Sequence, residues 1–149
     1  MLLPILAKKH SQKAKESALS LGVAMQITNI LRDVGEDLKE NNRIYLPIHV
    51  LSQENYSVEE LKSGSATPAF IRIWEKLASR SETLYEQFKQ VIHLYDPESQ
   101  LSVLLSANVY RGILDAVRKN NYNCFDKRNA VSLIEMDKIR RKTVQFLKM

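Results

Sequence analysis

Apolar side chains recur at intervals of three and four residues along almost the whole chain, which is the spacing of amphipathic helices rather than strands. Only four glycines and four prolines interrupt this pattern in 149 residues. Two of the prolines, Pro68 and Pro97, directly follow a residue that favours the N-cap position, as is typical of proline in a first helical turn. The sequence therefore predicts an all-α fold.

The spacing predicts about four long helices, over residues 11–38, 68–95, 97–120 and 131–147. Short connector helices are expected after Pro47 and after a capping-box start at Ser57, and Gly64 should end the second of them. No repeat, flexible linker or shift in composition divides the chain. Residues 1–149 are therefore expected to form a single helical unit.

The composition excludes several classes of protein. The chain carries 22 Lys and Arg against 17 Asp and Glu, and 44% of its residues are hydrophobic, which excludes a disordered or collagen-like chain. No apolar run approaches the roughly 20 residues of a membrane-spanning helix, and no signal peptide is recognisable, so we expect a cytoplasmic protein. The single Cys124 and three scattered histidines argue against a disulfide or a zinc site.

A narrow polar stripe follows one face of the first predicted helix. On a wheel of about 100° per residue, Gln26, Asn29, Asp33 and Asp37 share that face. An apolar flank lies to one side of it, formed by Val23, Ala24, Ile27, Leu31, Val34 and Leu38. Amide and carboxylate oxygens without His or Cys suit a hard cation, foremost Mg²⁺, with Mn²⁺ as the alternative. The other interpretation of the stripe is a solvated acidic helix surface.

The position of these acids in the predicted helix is itself unusual. Asp33, Glu36 and Asp37 would occupy the last turns, where the helix macrodipole disfavours each exposed carboxylate by roughly 0.3 to 1 kcal/mol. Departures from local preference of this kind are typical of functional sites.

Two arginines and a tyrosine accompany the stripe. Arg32 precedes Asp33, and Arg43 and Tyr45 lie in the short segment Asn-Arg-Ile-Tyr-Leu-Pro, residues 42–47. A guanidinium group can bind phosphate oxygens in bidentate fashion, so arginines beside a metal site favour diphosphate binding. An arginine taken singly is more often a surface charge or a salt-bridge partner of a neighbouring acid. No glycine-rich loop is present that would favour a nucleotide.

The segment Leu-Gly-Val-Ala-Met-Gln-Ile-Thr-Asn-Ile-Leu-Arg-Asp-Val-Gly-Glu-Asp, residues 21–37, followed by Asn-Arg-Ile-Tyr-Leu-Pro, resembles the second aspartate-rich motif of the squalene and phytoene synthase family. Residues 108–118, Asn-Val-Tyr-Arg-Gly-Ile-Leu-Asp-Ala-Val-Arg, resemble the penultimate helix of the same family, and Asn121, Tyr122, Phe125 and Arg128 resemble the turn after it. The resemblance covers the C-terminal half of the family's fold.

The resemblance implies a helical isoprenoid synthase fold and a prenyltransferase. Such an enzyme would use Mg²⁺ to condense two prenyl diphosphates, farnesyl or geranylgeranyl, head to head. The implied product is phytoene, dehydrosqualene or squalene, and NADPH would be needed only for squalene. The residues implied to hold metal are Asn29, Asp33 and Asp37. Those implied to be catalytic are Asp33, Asp37 and Tyr110. Those implied to bind substrate are Gln26, Arg32, Arg43, Tyr45 and Tyr110.

The family's earlier aspartate-rich motif, on a facing helix, has no counterpart before Ser11, and no other Asp-x-x-x-Asp occurs in the sequence. The chain is therefore expected to be an incomplete isoprenoid synthase domain without its N-terminal half, supplying only the second metal and diphosphate site. We expect it to bind an N-terminal partner or to self-associate. The alternative is a catalytically inactive remnant that acts as a helical interaction module.

The C-terminal segment is the most basic part of the chain. Residues 127–149 contain two acids and seven basic side chains, which are Lys127, Arg128, Lys138, Arg140, Arg141, Lys142 and Lys148. A basic amphipathic helix can lie on an anionic membrane surface, so the segment is compatible with peripheral membrane contact. An ordinary solvated terminal helix explains the same pattern equally well. Nucleic-acid binding is not expected, because no recognised motif accompanies the charge.

Overall fold

A computed structural model describes residues 12–149, and every regular element in this part of the chain is a helix. The elements are α1 (Gln12–Arg32), α2 (Val34–Glu40), α3 (Ile48–Gln53), α4 (Val58–Lys62), α5 (Pro68–Gln90), a 3-10 turn (Ile92–Leu94), α6 (Pro97–Lys119) and α7 (Leu133–Leu147). The predicted all-α class, with four long helices and short connectors, is confirmed. Of the first predicted helix, Ser11 lies outside the described residues.

The local start signals of the helices behave as their sequences predict. The Thr67 hydroxyl accepts a hydrogen bond from the backbone N–H of Phe70 at 3.2 Å, and Ser57 caps α4 in the same way through Glu60 at 3.1 Å. Ser132 caps α7, which therefore begins two residues later than predicted. At the other end of α5 the helix stops at Gln90, and the 3-10 turn replaces the predicted continuation.

Helix α1 packs along both α5 and α6, and the core has two parts along this contact. One part surrounds Leu31 at the C-terminal end of α1 and includes the fully buried Phe70 and Trp74. The other surrounds Leu21 and includes the buried Tyr85. Helices α5 and α6 thus hold the C-terminal end of α1, where the polar stripe lies, in a fixed position.

The buried face of α1 is only partly the predicted one. Ala24 and Leu31 are buried as the wheel placed them, whereas Val23 of the same predicted flank is 44% exposed and the apolar Leu19 is 69% exposed. The helix instead buries a face of small and hydroxyl side chains, which allows α5 and α6 to approach closely. Its buried residues are Ala14, Ser17, Ala18, Leu21, Ala24, Thr28 and Leu31.

Remote tyrosines satisfy the hydroxyl groups on this face. The Thr28 hydroxyl lies 2.8 Å from the Tyr85 hydroxyl of α5, and the Ser17 hydroxyl lies 3.0 Å from that of Tyr95. Buried polar groups are tolerated when they are hydrogen-bonded in this way, which local spacing does not show.

An ionic cluster joins α5 to α6 on the outside of this packing. The Arg118 guanidinium donates to both carboxylate oxygens of Glu75, at 2.8 and 3.0 Å, and to Glu82 at 2.8 and 3.2 Å, and it lies over the Trp74 ring. The Tyr122 hydroxyl donates to Glu75 at 2.9 Å. The hydrogen bond from Arg118 is the main cause that lowers the pKa of Glu75, although partial burial opposes it.

None of the described helices is both long enough and apolar enough to cross a bilayer.

Replacing Glu75 by Gln should destabilise the fold by about 1 to 2 kcal/mol at neutral pH, a value reduced for the partial exposure of the pair. Because the folded-state pKa of Glu75 is lowered, its contribution is present above the unfolded value of 4.5 and is lost as pH falls through the folded value. Urea unfolding of Glu75→Gln and wild type should therefore differ near neutrality and converge in acid. Glu59→Gln, at a carboxylate on α4 that has no such partner within residues 12–149, should show no comparable difference at either pH.

Candidate functional site

The polar stripe lies across a break between α1 and α2 at Asp33. In a continuous helix the Gly35 N–H would bond to the Leu31 carbonyl one turn earlier. Instead it donates to the carbonyl of Cys124 at 2.9 Å, and the Leu31 carbonyl accepts the indole N–H of Trp74 at 3.3 Å. Both backbone groups that the break frees therefore have partners, so the break leaves neither unsatisfied in the core.

Glycine at position 35 makes this arrangement possible. A Cβ atom added there would lie 1.9 Å from the carbonyl oxygen of Phe125, which belongs to the backbone of the segment after α6. That distance is far inside van der Waals contact, so any side chain at this position would push the two backbones apart.

The break overturns one sequence-based inference. The predicted helix over residues 11–38 is wrong at Asp33, and Glu36 and Asp37 lie in the first turn of α2 instead of the last turn of α1. Acids in a first turn are favoured by the positive end of the macrodipole. The expected macrodipole penalty on these carboxylates is therefore absent.

The structure brings four of the predicted site residues together at the end of α1. The Tyr110 hydroxyl, from α6, donates a hydrogen bond to Oδ1 of Asn29. The Arg32 guanidinium donates to both oxygens of Asp33, at 2.7 and 3.1 Å, and the two side chains are only 14% and 19% exposed. The bond to Asp33 is the main cause that raises the pKa of Arg32, and Tyr110 adds a smaller contribution.

Asp37 lies one turn further on, at the edge of this group. Partial burial is the main cause that raises the pKa of its carboxyl group; the hydrogen bond from Asn41, at 3.4 Å, opposes this and the charge of Asp33 adds to it. A carboxylate whose charge is disfavoured by burial and by a like-charged neighbour is one that a bound cation would stabilise.

The remaining predicted residues lie at the periphery. The backbone N–H of Arg43 donates to the Asp37 carbonyl at 2.9 Å, which ties the segment after α2 to the stripe. The exposed side chains of Arg43 and Tyr45 contact each other at 3.4 Å. Gln26 is exposed on α1 and has no hydrogen bond to another predicted site residue within the described part of the chain.

A buried hydroxyl cluster next to Asn29 was not predicted. Thr28 lies 2.8 Å from the Tyr85 hydroxyl and 3.2 Å from that of Ser81, and both Thr28 and Ser81 donate to the Ala24 carbonyl. Burial raises the pKa of Tyr85 to about 12, so its hydroxyl stays protonated. The cluster fixes the rotation of α1 against α5 and thereby the direction of Asn29. The one sequence signal was a threonine on a largely apolar flank.

A second unpredicted feature is a cavity of about 290 Å³ beside Arg32, between α2 and residues 124–128. Lys39 pairs with Asp126 at 3.0 Å and Arg128 with Glu36 at 3.8 Å. The cavity adds basic side chains from the C-terminal part of the chain to the stripe. Its basic lining residues are Arg32, Lys39, Lys127 and Arg128, and its acidic ones are Glu36, Glu40 and Asp126.

The donor atoms of the stripe fit a hard cation. Asn29, Asp33 and Asp37 offer oxygen ligands, which hard cations prefer. Within residues 12–149, no three His, Cys, Asp or Glu side chains form a cluster that could by itself hold a metal. Two carboxylates and an amide suit Mg²⁺, which retains waters and takes oxygens from an anionic ligand.

The fold and these contacts define a helical protein in which acidic, amide and basic side chains meet at a break between two helices. The chain belongs to the squalene/phytoene synthase family, whose model matches residues 1–135.

Several relatives and solved structures match this chain. It is 41% identical over 128 residues to 4,4'-diapophytoene synthase of Staphylococcus haemolyticus, and the aligned region covers 85% of this chain and 45% of that protein. It is 30% identical over 139 residues to the farnesyl diphosphate phosphatase YisP of Bacillus subtilis, and the aligned region covers 93% of this chain and 51% of that protein. A crystal structure of a dehydrosqualene synthase in complex with ligand superposes with a TM-score of 0.91 at 35% identity, covering 99% of this chain and 52% of that one.

The superposition confirms the predicted all-α isoprenoid synthase fold. The chain spans about half the length of these relatives.

Replacing Gly35 by Ala should destabilise the protein by about 3 kcal/mol, because the added Cβ meets backbone that cannot rotate away. The sign is opposite to that of an ordinary helical glycine, where alanine stabilises by up to about 1 kcal/mol. Urea unfolding measures the difference.

Gly112→Ala is the matched control. Its Cβ would meet only side-chain atoms, of Ile139 at 3.0 Å and Val131 at 3.2 Å, which can shift slightly. Equal losses of stability in the two variants would contradict the close backbone contact at Gly35.

Proposed function

We propose that this chain supplies the second aspartate-rich metal and diphosphate site of a prenyltransferase that condenses two prenyl diphosphates head to head, to phytoene, dehydrosqualene or squalene. The observation that supports it most directly is the convergence of Asn29, Arg32, Asp33 and Tyr110 from two helices. NADPH belongs to this proposal only if the product is squalene.

Asn29, Asp33 and Asp37 are the residues that would hold Mg²⁺, or Mn²⁺ in its place. Such an ion, when bound, supplies positive charge that stabilises the departing diphosphate. Asn29 suits this role because its Oδ1 atom, held by the Tyr110 hydroxyl, has a second lone pair for a ligand. The bond to Tyr110 thus orients the amide before any ligand arrives.

Arg32 provides the nearest fixed positive charge for the diphosphate. Two of its N–H groups hold Asp33, and the other donors of the guanidinium, which also approach Tyr110, can bind phosphate oxygens. Because the pKa of Arg32 is raised, this charge persists at any physiological pH. Lys127 and Arg128, across the adjoining cavity, extend the cationic surface on which a diphosphate could lie.

Gln26, Arg43 and Tyr45 are assigned to the outer part of the substrate site, where their exposed side chains can close on a bound ligand. Tyr110 is assigned two roles. Its hydroxyl orients Asn29, and its ring is the aromatic surface that can stabilise a carbocation through a cation–π interaction.

Farnesyl diphosphate is the substrate class we would test first, because one relative is named for action on it. That relative's name describes hydrolysis and the other names describe synthesis. Both reactions begin with binding of the diphosphate group. Binding is therefore the step that we propose to test with this chain.

A second candidate is a helical interaction module without catalysis. The observation that favours it is the apolar surface on α1, where Leu19 and Val23 are 69% and 44% exposed. Such a surface suits association with an N-terminal half or with a second copy of the chain. Both candidates predict association, but only the prenyltransferase predicts metal-dependent binding of a diphosphate.

Calorimetry with a non-hydrolysable farnesyl diphosphate analogue should detect binding that requires Mg²⁺. Asp33→Asn and Asp37→Asn should each weaken this binding by about tenfold or more, because each removes a charged oxygen donor from the cation. Asp137→Asn, which makes the same chemical change on α7, should bind like wild type.

Equal binding with and without Mg²⁺, or no binding by a folded wild-type chain, would contradict the proposal. The helical interaction module would then be the remaining candidate.

A further inference from the structure

A groove of about 550 Å³ runs between α6 and α7, and none of the stripe residues lines it. Its floor is apolar, because Gly112 has no side chain and allows Ile139 of α7 and Val131 to pack directly on α6. Their side-chain atoms lie 3.0 and 3.2 Å from the position that a Cβ on Gly112 would occupy.

Hydrogen bonds hold both walls of the groove in place. The Asn120 side chain donates to the buried Asn129 at 3.0 Å, and Asn129 in turn donates to the Asn123 carbonyl at 2.9 Å. Further along, Asn108 of α6 donates to the buried Thr143 of α7 at 2.9 Å. The groove is therefore a feature of the packed fold and does not depend on exposed side chains alone.

The lining of the groove carries an excess of positive charge. Two lining residues are acidic, Asp115 and Glu135. Six are basic, and these are Lys89, Arg111, Lys119, Lys127, Lys138 and Lys142.

Part of this charge is already paired within the protein. Glu135 is shared by Lys119 at 3.4 Å and Lys138 at 3.3 Å, and Arg111 lies 3.5 Å from Glu86. Lys127 and Lys142 have no acidic partner among the residues that the structure describes. A lining with six basic and two acidic side chains attracts an anion of more than one charge.

We propose that this groove binds a phosphate-bearing anion, with the phosphate on the lysines and any alkyl part of the ligand on the floor formed by Val131, Ile139 and Phe146. Lysine ammonium groups bind phosphate as point charges, and Lys142 lies on the same face of α7 as Ile139 and Phe146. This chemistry is shared by a free diphosphate and by the headgroup of an anionic phospholipid. Lys127 also lines the cavity beside Arg32, whereas Lys142 and the apolar floor belong to this groove alone, and the proposal rests on these.

Two probes separate these sources. Inorganic diphosphate is titrated into the ¹⁵N-labelled protein with EDTA present, and the Gly112 and Asn129 amide signals report binding in the groove itself. Vesicles of phosphatidylcholine with and without phosphatidylglycerol are tested by co-sedimentation. The test variant is Lys142→Glu, and the control is Lys148→Glu, an equal change of charge at an exposed lysine of the same chain end that does not line the groove.

The expected result is saturable binding of at least one probe, weakened about tenfold by Lys142→Glu and unchanged by Lys148→Glu. Shifts of the groove amides with diphosphate identify a free anion, whereas binding only to vesicles with phosphatidylglycerol identifies a lipid headgroup. Equal weakening by both variants would mean unspecific attraction to the basic chain end and would overturn the proposal. The absence of binding to either probe would overturn it as well.

Discussion

One backbone hydrogen bond determines the shape of the candidate site. The Gly35 N–H bonds to the Cys124 carbonyl instead of to Leu31, and the chain therefore leaves α1 and begins α2 within the stripe itself. The same contact brings residues 124–128 against α2, which adds Lys127 and Arg128 to the surroundings of Arg32. The oxygen atoms of the stripe, the paired arginine and the cavity beside Arg32 all depend on this close approach.

Much of the fold could be predicted, because its signals are local. Thr67 before Pro68 specifies a helix start through atoms within one turn, and the structure has that start. The buried face of α1 could not be predicted in this way. Thr28 is buried because a tyrosine on α5 satisfies its hydroxyl, and Leu19 is exposed because the small side chains of α1 are the ones that meet α5 and α6. Packing between segments that are distant in sequence therefore determines which face of α1 is buried.

The candidate site shows the same division. The spacing of Asn29 and Asp33 predicted that they share a surface, and one turn of helix was enough to show it. The break at Asp33 depends on Phe125, which is far away in sequence, so a pattern of local spacing could not show it. Tyr110 was assigned from the family resemblance, and its bond to Asn29 provides a physical reason for that assignment. Tyr85 gave no signal beyond an apolar helix pattern.

Paramagnetic broadening of NMR signals by substoichiometric Mn²⁺ tests the central claim most directly, namely that the oxygens around the α1–α2 break form one cation site. The account predicts that the Asn29 side-chain amide and the backbone amides of Asp33 and Asp37 broaden first, and that excess Mg²⁺ restores them because the two ions share the site. Asp33→Asn should remove the effect. Broadening centred on another acidic surface, such as that around Asp137, or spread evenly over the chain, would contradict the account.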